Sequence, residues 1–512
     1  MSRGREHKRL HVNRILAFVV CAVPILATGE TEPATTHCTP PNFPLPTFGP
    51  AKVNVRDFGA SGDGRTNDTA AIDRAIDNCN ASGGGDVIFG AGTYVAASIH
   101  LKSNIRFLLD SNAVITGARS GYDSPEPNQF DKYQDFGHSH FHNALMWGEN
   151  IQNFAIVGGH VNGGHIIEGE PKEATIGDKV IALKSSQNLL FQNVTHESGG
   201  HFVYLLNNCT NVTVSNVNIS KSRDGINLVS CRNVQIHGCH FSGCGDDTLA
   251  LKSDYALGRK IDSENIYAWD CYLETACNAL QIGAETVGDF RNINFWNIRI
   301  GRAWKAAVGV TSADGSVIDG LTYHNITVTD AACPIFLRVT RKLRSGVENG
   351  KVGAIKNVTI SNLTVTHCRK GEQGFPRTCF ISGLPDSRME NITMDNVSIT
   401  FRGGRSKEEA GRAVPELDRA SARDLGPLPA SAFYIRHVKT LTLKNLDLRF
   451  ENPEARPLIV ASDVDGFQLD GLKSDRPPGI PLLGLERIEN LSVHNCQGLK
   501  DRAAEHIGTA TE

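Results

Sequence analysis

From about residue 150 onward, apolar and polar positions alternate in short runs, and most runs open and close on asparagine. Asn150-Ile-Gln-Asn-Phe-Ala-Ile, Asn188-Leu-Leu-Phe-Gln-Asn-Val, Asn211-Val-Thr-Val-Ser-Asn-Val and Asn233-Val-Gln-Ile-His are successive copies. Further copies begin at Asn265, Asn292, Asn357 and Asn391, and weaker ones at Leu441 and Asn490. The steps 188→211→233 are 23 and 22 residues, and later steps lengthen as loops are inserted. Alternation puts every second side chain on one face of a strand. One such unit cannot cover its own apolar face, so units must stack. A coil of about 22 residues, with two or three short strands and sharp bends, predicts an all-β fold: a single-stranded right-handed parallel β-helix. Asparagine tolerates the left-handed backbone of the bends, and stacked amides can hydrogen-bond along the axis. No helical segment follows each strand, which excludes a leucine-rich repeat, and the period is too short for propeller blades.

A solenoid needs covered ends. Thr66–Cys79 supplies a short N-terminal capping helix: Asp68 and Thr69 are N-cap types, and Ala71, Ile72, Ala75 and Ile76 form an apolar stripe. The expected organisation is a signal peptide over residues 1–29, a Pro/Thr-rich linker or arm over 30–50, the β-helix over 51–500 and a tail over 501–512. Residues 402–430, rich in Arg, Glu and Ala, break the strand rhythm and read as a surface loop or short helix.

Charge and cysteine change this picture little. The formal net charge is −3, and no basic stripe follows the N-terminus, so a nucleic-acid partner is not expected. Arg3, Arg5, Lys8, Arg9 and Arg14 precede an apolar run, Ile15–Ala27, that is short for a bilayer span. Export to a secreted or periplasmic location follows, with no stable membrane insertion after processing; a retained anchor is the alternative. Twelve cysteines remain beyond Cys21. An oxidising compartment permits disulfides, but the spacings do not reveal pairing. No CxxC occurs, so no zinc site is expected, and about half of the cysteines occupy strand positions that suit buried thiols.

Three carboxylates stand out. Asp224 lies in Arg223-Asp-Gly-Ile-Asn, and Asp246 and Asp247 lie in Gly245-Asp-Asp-Thr-Leu-Ala-Leu-Lys-Ser253. The separation 246 − 224 is 22, one coil, which places Asp224 beneath the Asp246-Asp247 pair at roughly 4.8 Å. Stacked acids repel, so such a cluster points to acid/base work or metal binding, with solvated turn aspartates as the plain alternative.

On these motifs the chain resembles glycoside hydrolase family 28, the polygalacturonases and rhamnogalacturonan hydrolases of the pectin lyase-like β-helix superfamily. Val53-Asn-Val-Arg-Asp-Phe-Gly-Ala-Ser-Gly-Asp-Gly with Asn67-Asp-Thr is similar to the entry segment of many extracellular β-helix carbohydrate enzymes. Ser222-Arg-Asp-Gly225 partly matches the family's Asn-Thr-Asp-Gly, and Gly245–Ser253 closely matches its Gly-Asp-Asp segment. The resemblance covers about residues 50–400. It implies an inverting hydrolase of pectic, galacturonate-containing polysaccharide, with Asp246 protonating the leaving oxygen and Asp224 and Asp247 activating water.

Two family motifs are replaced. The Gly-His-Gly slot reads Cys277-Asn278-Ala279, so Asn278 can orient a neighbour but cannot titrate. The Arg-Ile-Lys slot aligns with Gly309-Val310-Thr311, which removes two cations that would hold a galacturonate carboxylate. Arg338 and Arg341, in a cluster with Lys342 and Arg344, could replace them, or could be solvated loop charges. Lys252 could touch substrate or pair with Asp247. The aromatic stretch Tyr122–His142 could stack sugars, could bind metal through His138, His140 and His142, or could be a packed loop. Catalytic Asp224, Asp246 and Asp247, substrate-binding Lys252, Asn278, Arg338 and Arg341, a monomer, a polysaccharide partner, no cofactor and no metal are therefore the expectations. Competing classes are a polysaccharide lyase on the same fold, with Ca²⁺ on the acids, and a non-catalytic carbohydrate-binding β-helix.

Overall fold

Among the described residues, coil after coil bends on residues whose backbone takes the left-handed conformation. Among them are Asn104, Asn153, Asn188, Asn211, Asn233, Asn265 and Asn292, all with φ between 52° and 62°. Asparagine adopts this region more readily than other side-chain-bearing residues because its short amide can bond locally. These seven amides also bond to one another: each Nδ2 donates to the Oδ1 one coil earlier, from Asn153 to Asn104 through Asn292 to Asn265, at 2.8–3.1 Å. The repeating asparagine therefore does two jobs, turning the chain and tying one coil to the next.

The architecture comes from a computed structural model, which describes residues 39–171, 173, 175–344, 350–368, 377–416 and 425–512. The leader expected over 1–29 lies outside the described residues. Residues 40–512 form one unit, a parallel β-helix in which most described strands pair with their equivalents in neighbouring coils. One stack carries the site. It runs β1 (Lys179–Lys184), β2 (Phe202–Asn207), β3 (Asp224–Val229), β4 (Leu249–Ser253), β5 (Leu280–Thr286) and β6 (Phe290–Ser312), all parallel. Inward positions of this stack, such as Ile226, Leu228, Leu249, Leu251, Leu280, Ile282, Val308 and Val310, are buried in the core. Fully burying each such side chain contributes about 1.5–3 kcal/mol.

The N-terminal cap is helix α1, Thr69–Ala81, which lays Ala71, Ile72, Ala75, Ile76 and Cys79 on the core. Asp68 stands at its N-cap, but its carboxylate accepts from the Ser61 and Gly62 amides rather than from the helix. Residues 501–512, expected as a tail, carry a strand, Arg502–Thr511, that pairs antiparallel with Leu483–His494. Within 402–430 the described part includes a short 3₁₀ turn, Lys407–Gly411, and buried Leu425 and Leu428. All eleven described cysteines from Cys79 onward are buried and unpaired, against the half expected from strand positions. Among the described residues no helix is long and apolar enough to cross a membrane.

Candidate active site

The acid motif is built by tight coil packing. Ser222 pairs with Cys244, the offset of 22 read from the spacing, whereas Ile226 pairs with Leu249 and Asn227 with Ala250, an offset of 23. The register shifts by one residue across the acids, so Asp224 lies beneath the Asp246-Asp247 pair. Backbone bonds flank the shift: the Asp246 amide donates to the Arg223 carbonyl at 2.7 Å, and the Gly225 amide to the Asp247 carbonyl at 3.0 Å. Gly225 is required here, because a Cβ would come within 2.3 Å of the Thr248 carbonyl oxygen.

Asp224, Asp246 and Asp247 line one groove of about 280 Å³ with Arg223, Lys252, Asn278, Lys305 and Lys342. That volume is at the low end for ligand sites and accommodates a small polar ring rather than a bulky apolar ligand. Asp224 is buried; its Oδ2 accepts from Asn227 Nδ2 at 2.9 Å, and its Oδ1 has no partner. Burial, then the Asp246 charge, push its pKa up to about 8 against the pull of Lys252. Asp247 accepts from Asn278 Nδ2 at 2.8 Å, and burial with the Asp246 charge raises it too. Asp246 is the open member, with a third of its side chain exposed, and pairs with Arg223 at 3.1 Å. Burial alone would raise it, but the Cys277 thiol, Lys305, Arg223 and Lys252 together hold it below the usual carboxylate range. The unliganded trio thus keeps its proton on the buried pair, while Asp246 is ionised. Such displaced proton affinities in a cleft mark a functional site.

Lys252 pairs with Glu285 at 3.1 Å rather than with Asp247. Burial would lower its pKa, yet Glu285, Asp247 and Asp224 raise it above the usual lysine range, so the ammonium stays charged beneath the acids. Asn278 does orient its neighbours: it donates to Asp247 and accepts from the Ala306 amide at 3.2 Å.

Arg338 and Arg341 do not reach the groove, which corrects the expectation that they replace lost cations. Arg338 is buried with its guanidinium 6.0 Å from the Phe380 ring centre, and Arg341 pairs with Asp386 at the surface. The cations come from elsewhere. Lys305 places its Nζ 2.9 Å from Cys277 Sγ, with its charge acting on Asp246. Lys342 lines the groove, and Arg344 bridges Glu285 and Asp314 behind it. The cluster after Pro334 therefore serves the site, but through its later members.

His201, also in the groove, lies against Arg223 and stacks on Phe202 with ring centres 4.3 Å apart. Burial and the Arg223 charge push its pKa far down, so it is neutral. The coil here is 22 residues, Phe202 pairing with Asp224, so His201 lies one coil beneath Arg223, and that spacing would have found it. The Tyr122–His142 stretch covers the outer face of the stack, with Phe141 packed on Phe202 and Leu205. Its three histidines diverge. His138 lines the groove with Nδ1 3.5 Å from Asp254, His140 faces Asp131, and His142 stacks on Trp147 and bonds Glu149. Near His142, Lys184 already sits on both Glu126 and Glu149. Carboxylate oxygens of Asp246 and Asp247 and the Cys277 sulfur lie within 4.8 Å of one another, but Lys305 and Arg223 already sit on this donor set.

Fold and site together are those of a parallel β-helix with an acid-lined groove on one stack. A family model described as rhamnogalacturonase A/epimerase, pectate lyase-like, matches residues 52–301. A polygalacturonase of Malus domestica is 25% identical over 347 residues, 62% of this chain and 69% of that protein. A mannuronan C5-epimerase, AlgE3, of Azotobacter vinelandii is 47% identical over only 68 residues, 13% of this chain. This chain spans less than a tenth of the length of such epimerase and alginate lyase relatives. The family 28 exopolygalacturonase of Yersinia enterocolitica superposes with a TM-score of 0.54 at 16% identity, over 88% of this chain and 79% of that one. In fold the chain is similar to the family 28 polygalacturonases and other pectin lyase-like β-helices.

Proposed function

We propose that this protein is an exported, inverting glycoside hydrolase of pectic, galacturonate-containing polysaccharide. The observation that carries this reading is the stack of Asp224, Asp246 and Asp247 on successive coils, one acid open to the groove and two buried with raised proton affinity. Inversion needs one carboxyl group to protonate the leaving oxygen and another, across the sugar, to activate water. Asp246, the exposed member, meets the glycosidic oxygen; Asp224 and Asp247 hold the water. Because Asp246 is ionised in the free protein, it must gain a proton as substrate enters, and the nearest store is the buried pair. Arg223, Lys252, Lys305 and Lys342 give the groove a cationic wall that suits a uronate. The relatives named as polygalacturonases support the same substrate class, and the N-terminal basic and apolar pattern supports export. A Ca²⁺-dependent lyase fits less well, because Arg223 and Lys305 already neutralise the acids a cation would need.

The test is product analysis on a panel of pectic oligosaccharides with early-time NMR of the new anomer. Inverted product formed in the presence of EDTA supports the reading. An unsaturated product, a retained anomer or loss of activity in EDTA would overturn it.

A further inference from the structure

We infer that Trp304 forms a sugar-stacking subsite beside the acids, where one residue of an acidic polysaccharide lies with its ring on the indole and its carboxylate toward Lys305. The placement begins with the backbone. On β6, Ala303 pairs with Ala331, and Ala306 with Cys333, on the next strand β7 (Val317–Val339). Three steps on β6 match two on β7, which is a β-bulge, and bulges re-aim side chains. Ala303 and Ala306 are both buried, so Trp304 and Lys305 turn outward together instead of alternating between core and solvent.

The outcome is a large apolar ring held at the surface. Trp304 is 38% exposed, one of two large hydrophobic residues so exposed among those described. One face of its ring is covered by Arg302, whose guanidinium lies 5.2 Å from the ring. Arg302 is fixed by Glu274 at 2.7 Å, and Glu274 accepts from the Tyr272 hydroxyl at 3.0 Å. A ring held from behind and open in front loses little freedom on stacking, and a sugar's CH face supplies the matching apolar surface. Lys305, the next residue, reaches Cys277 beside Asp246 and lines the groove. Adjacent Cα atoms are about 3.8 Å apart, so the indole is anchored next to the groove wall that Lys305 forms.

This inference rests on the proposed hydrolase reading, and the experiment separates the two. Binding of a galacturonate hexamer is measured by calorimetry in Asp246→Asn and in the double variants that add Trp304→Ala or Trp304→Phe. Wild-type turnover of the same hexamer is measured alongside. The expected result is a Kd raised at least tenfold by Trp304→Ala and restored to within about threefold by Trp304→Phe. A Kd unchanged within twofold, or no binding to Asp246→Asn, would overturn the subsite. Trp304-dependent binding without wild-type hydrolysis would overturn the hydrolase reading and leave the subsite standing.

Discussion

Replacing Asp224 by asparagine removes the carboxyl group whose proton affinity is most displaced in the acid trio, and the consequence can be worked through. Its pKa lies near 8, against an ordinary aspartate value of 3.8, because burial and the Asp246 charge disfavour its ionised form. Between those two values the folded protein keeps a proton that the unfolded chain has released. The folded state therefore binds more protons across the window, and wild-type stability falls as pH rises from about 4 to about 8, then levels off. One proton gives a limiting slope of about 1.4 kcal/mol per pH unit. Asparagine has no such slope. Its amide retains the bond from Asn227, but its NH₂ would face the place where Asp224 Oδ1 has no partner. That adds a constant penalty of about 1–3 kcal/mol, so the sign of the difference at a single pH decides nothing. Its change with pH decides. Melting midpoints of wild type and Asp224→Asn, taken at pH 5, 6, 7 and 8 and constant ionic strength, should diverge in favour of the variant by about 1–2 °C per pH unit for a chain of this size. A variant-minus-wild-type difference that stays flat, or falls as pH rises, would refute the claim that the buried pair holds the proton.

Asp246→Asn should lower turnover by about 10²–10⁴-fold while moving the melting midpoint at pH 5 by no more than about 2 °C, because its side chain faces the groove; steady-state kinetics and thermal melts check both. The same change removes the charge that raises Asp224, so the divergence window should contract from its alkaline end, as repeated melts across pH would register. Lys305→Ala should raise KM for polygalacturonate at least tenfold, whereas Arg341→Ala, outside the groove, should leave it within twofold; kinetics on that one substrate compare them. Asn211→Ala breaks two ladder bonds, to Asn188 and from Asn233, and puts a Cβ-bearing residue without the amide at φ 57°. It should destabilise by about 2–4 kcal/mol, with Asn211→Gly recovering the backbone share, as denaturant unfolding would measure.

The repeat was legible in the order of residues because its causes are local. Alternation sets which side chains face inward, and asparagine sets where the chain turns; both act within a few residues and recur at each coil. The capping helix and the acid trio were legible for the same reason, since a fixed period converts sequence separation into spatial stacking. That conversion is only as good as the count. The offset is 22 at Ser222–Cys244 and 23 at Ile226–Leu249, so the register shifts at the acids and Asp224 lies beneath the Asp246-Asp247 pair. His201 lay within reach of the same arithmetic.

The cationic wall was legible in part: Lys252 stood out within its motif and lines the groove, whereas nothing periodic relates Lys305 and Lys342 to the acids. Lys305 reaches the acids through a bulge in β6, and a bulge is an inserted residue whose position depends on pairing with the next coil. Arg338, Arg341, Lys342 and Arg344 look alike in sequence, yet the first is buried near Phe380, the second pairs at the surface, the third lines the groove and the last bridges Glu285 and Asp314 behind it. The proton affinities of the three aspartates are set by burial and by charges from other coils, among them Arg223, Lys252 and Lys305. Periodic, short-range order is written along the chain; which of several like charges meets the acids, and which acid keeps the proton, is settled only when distant coils pack together.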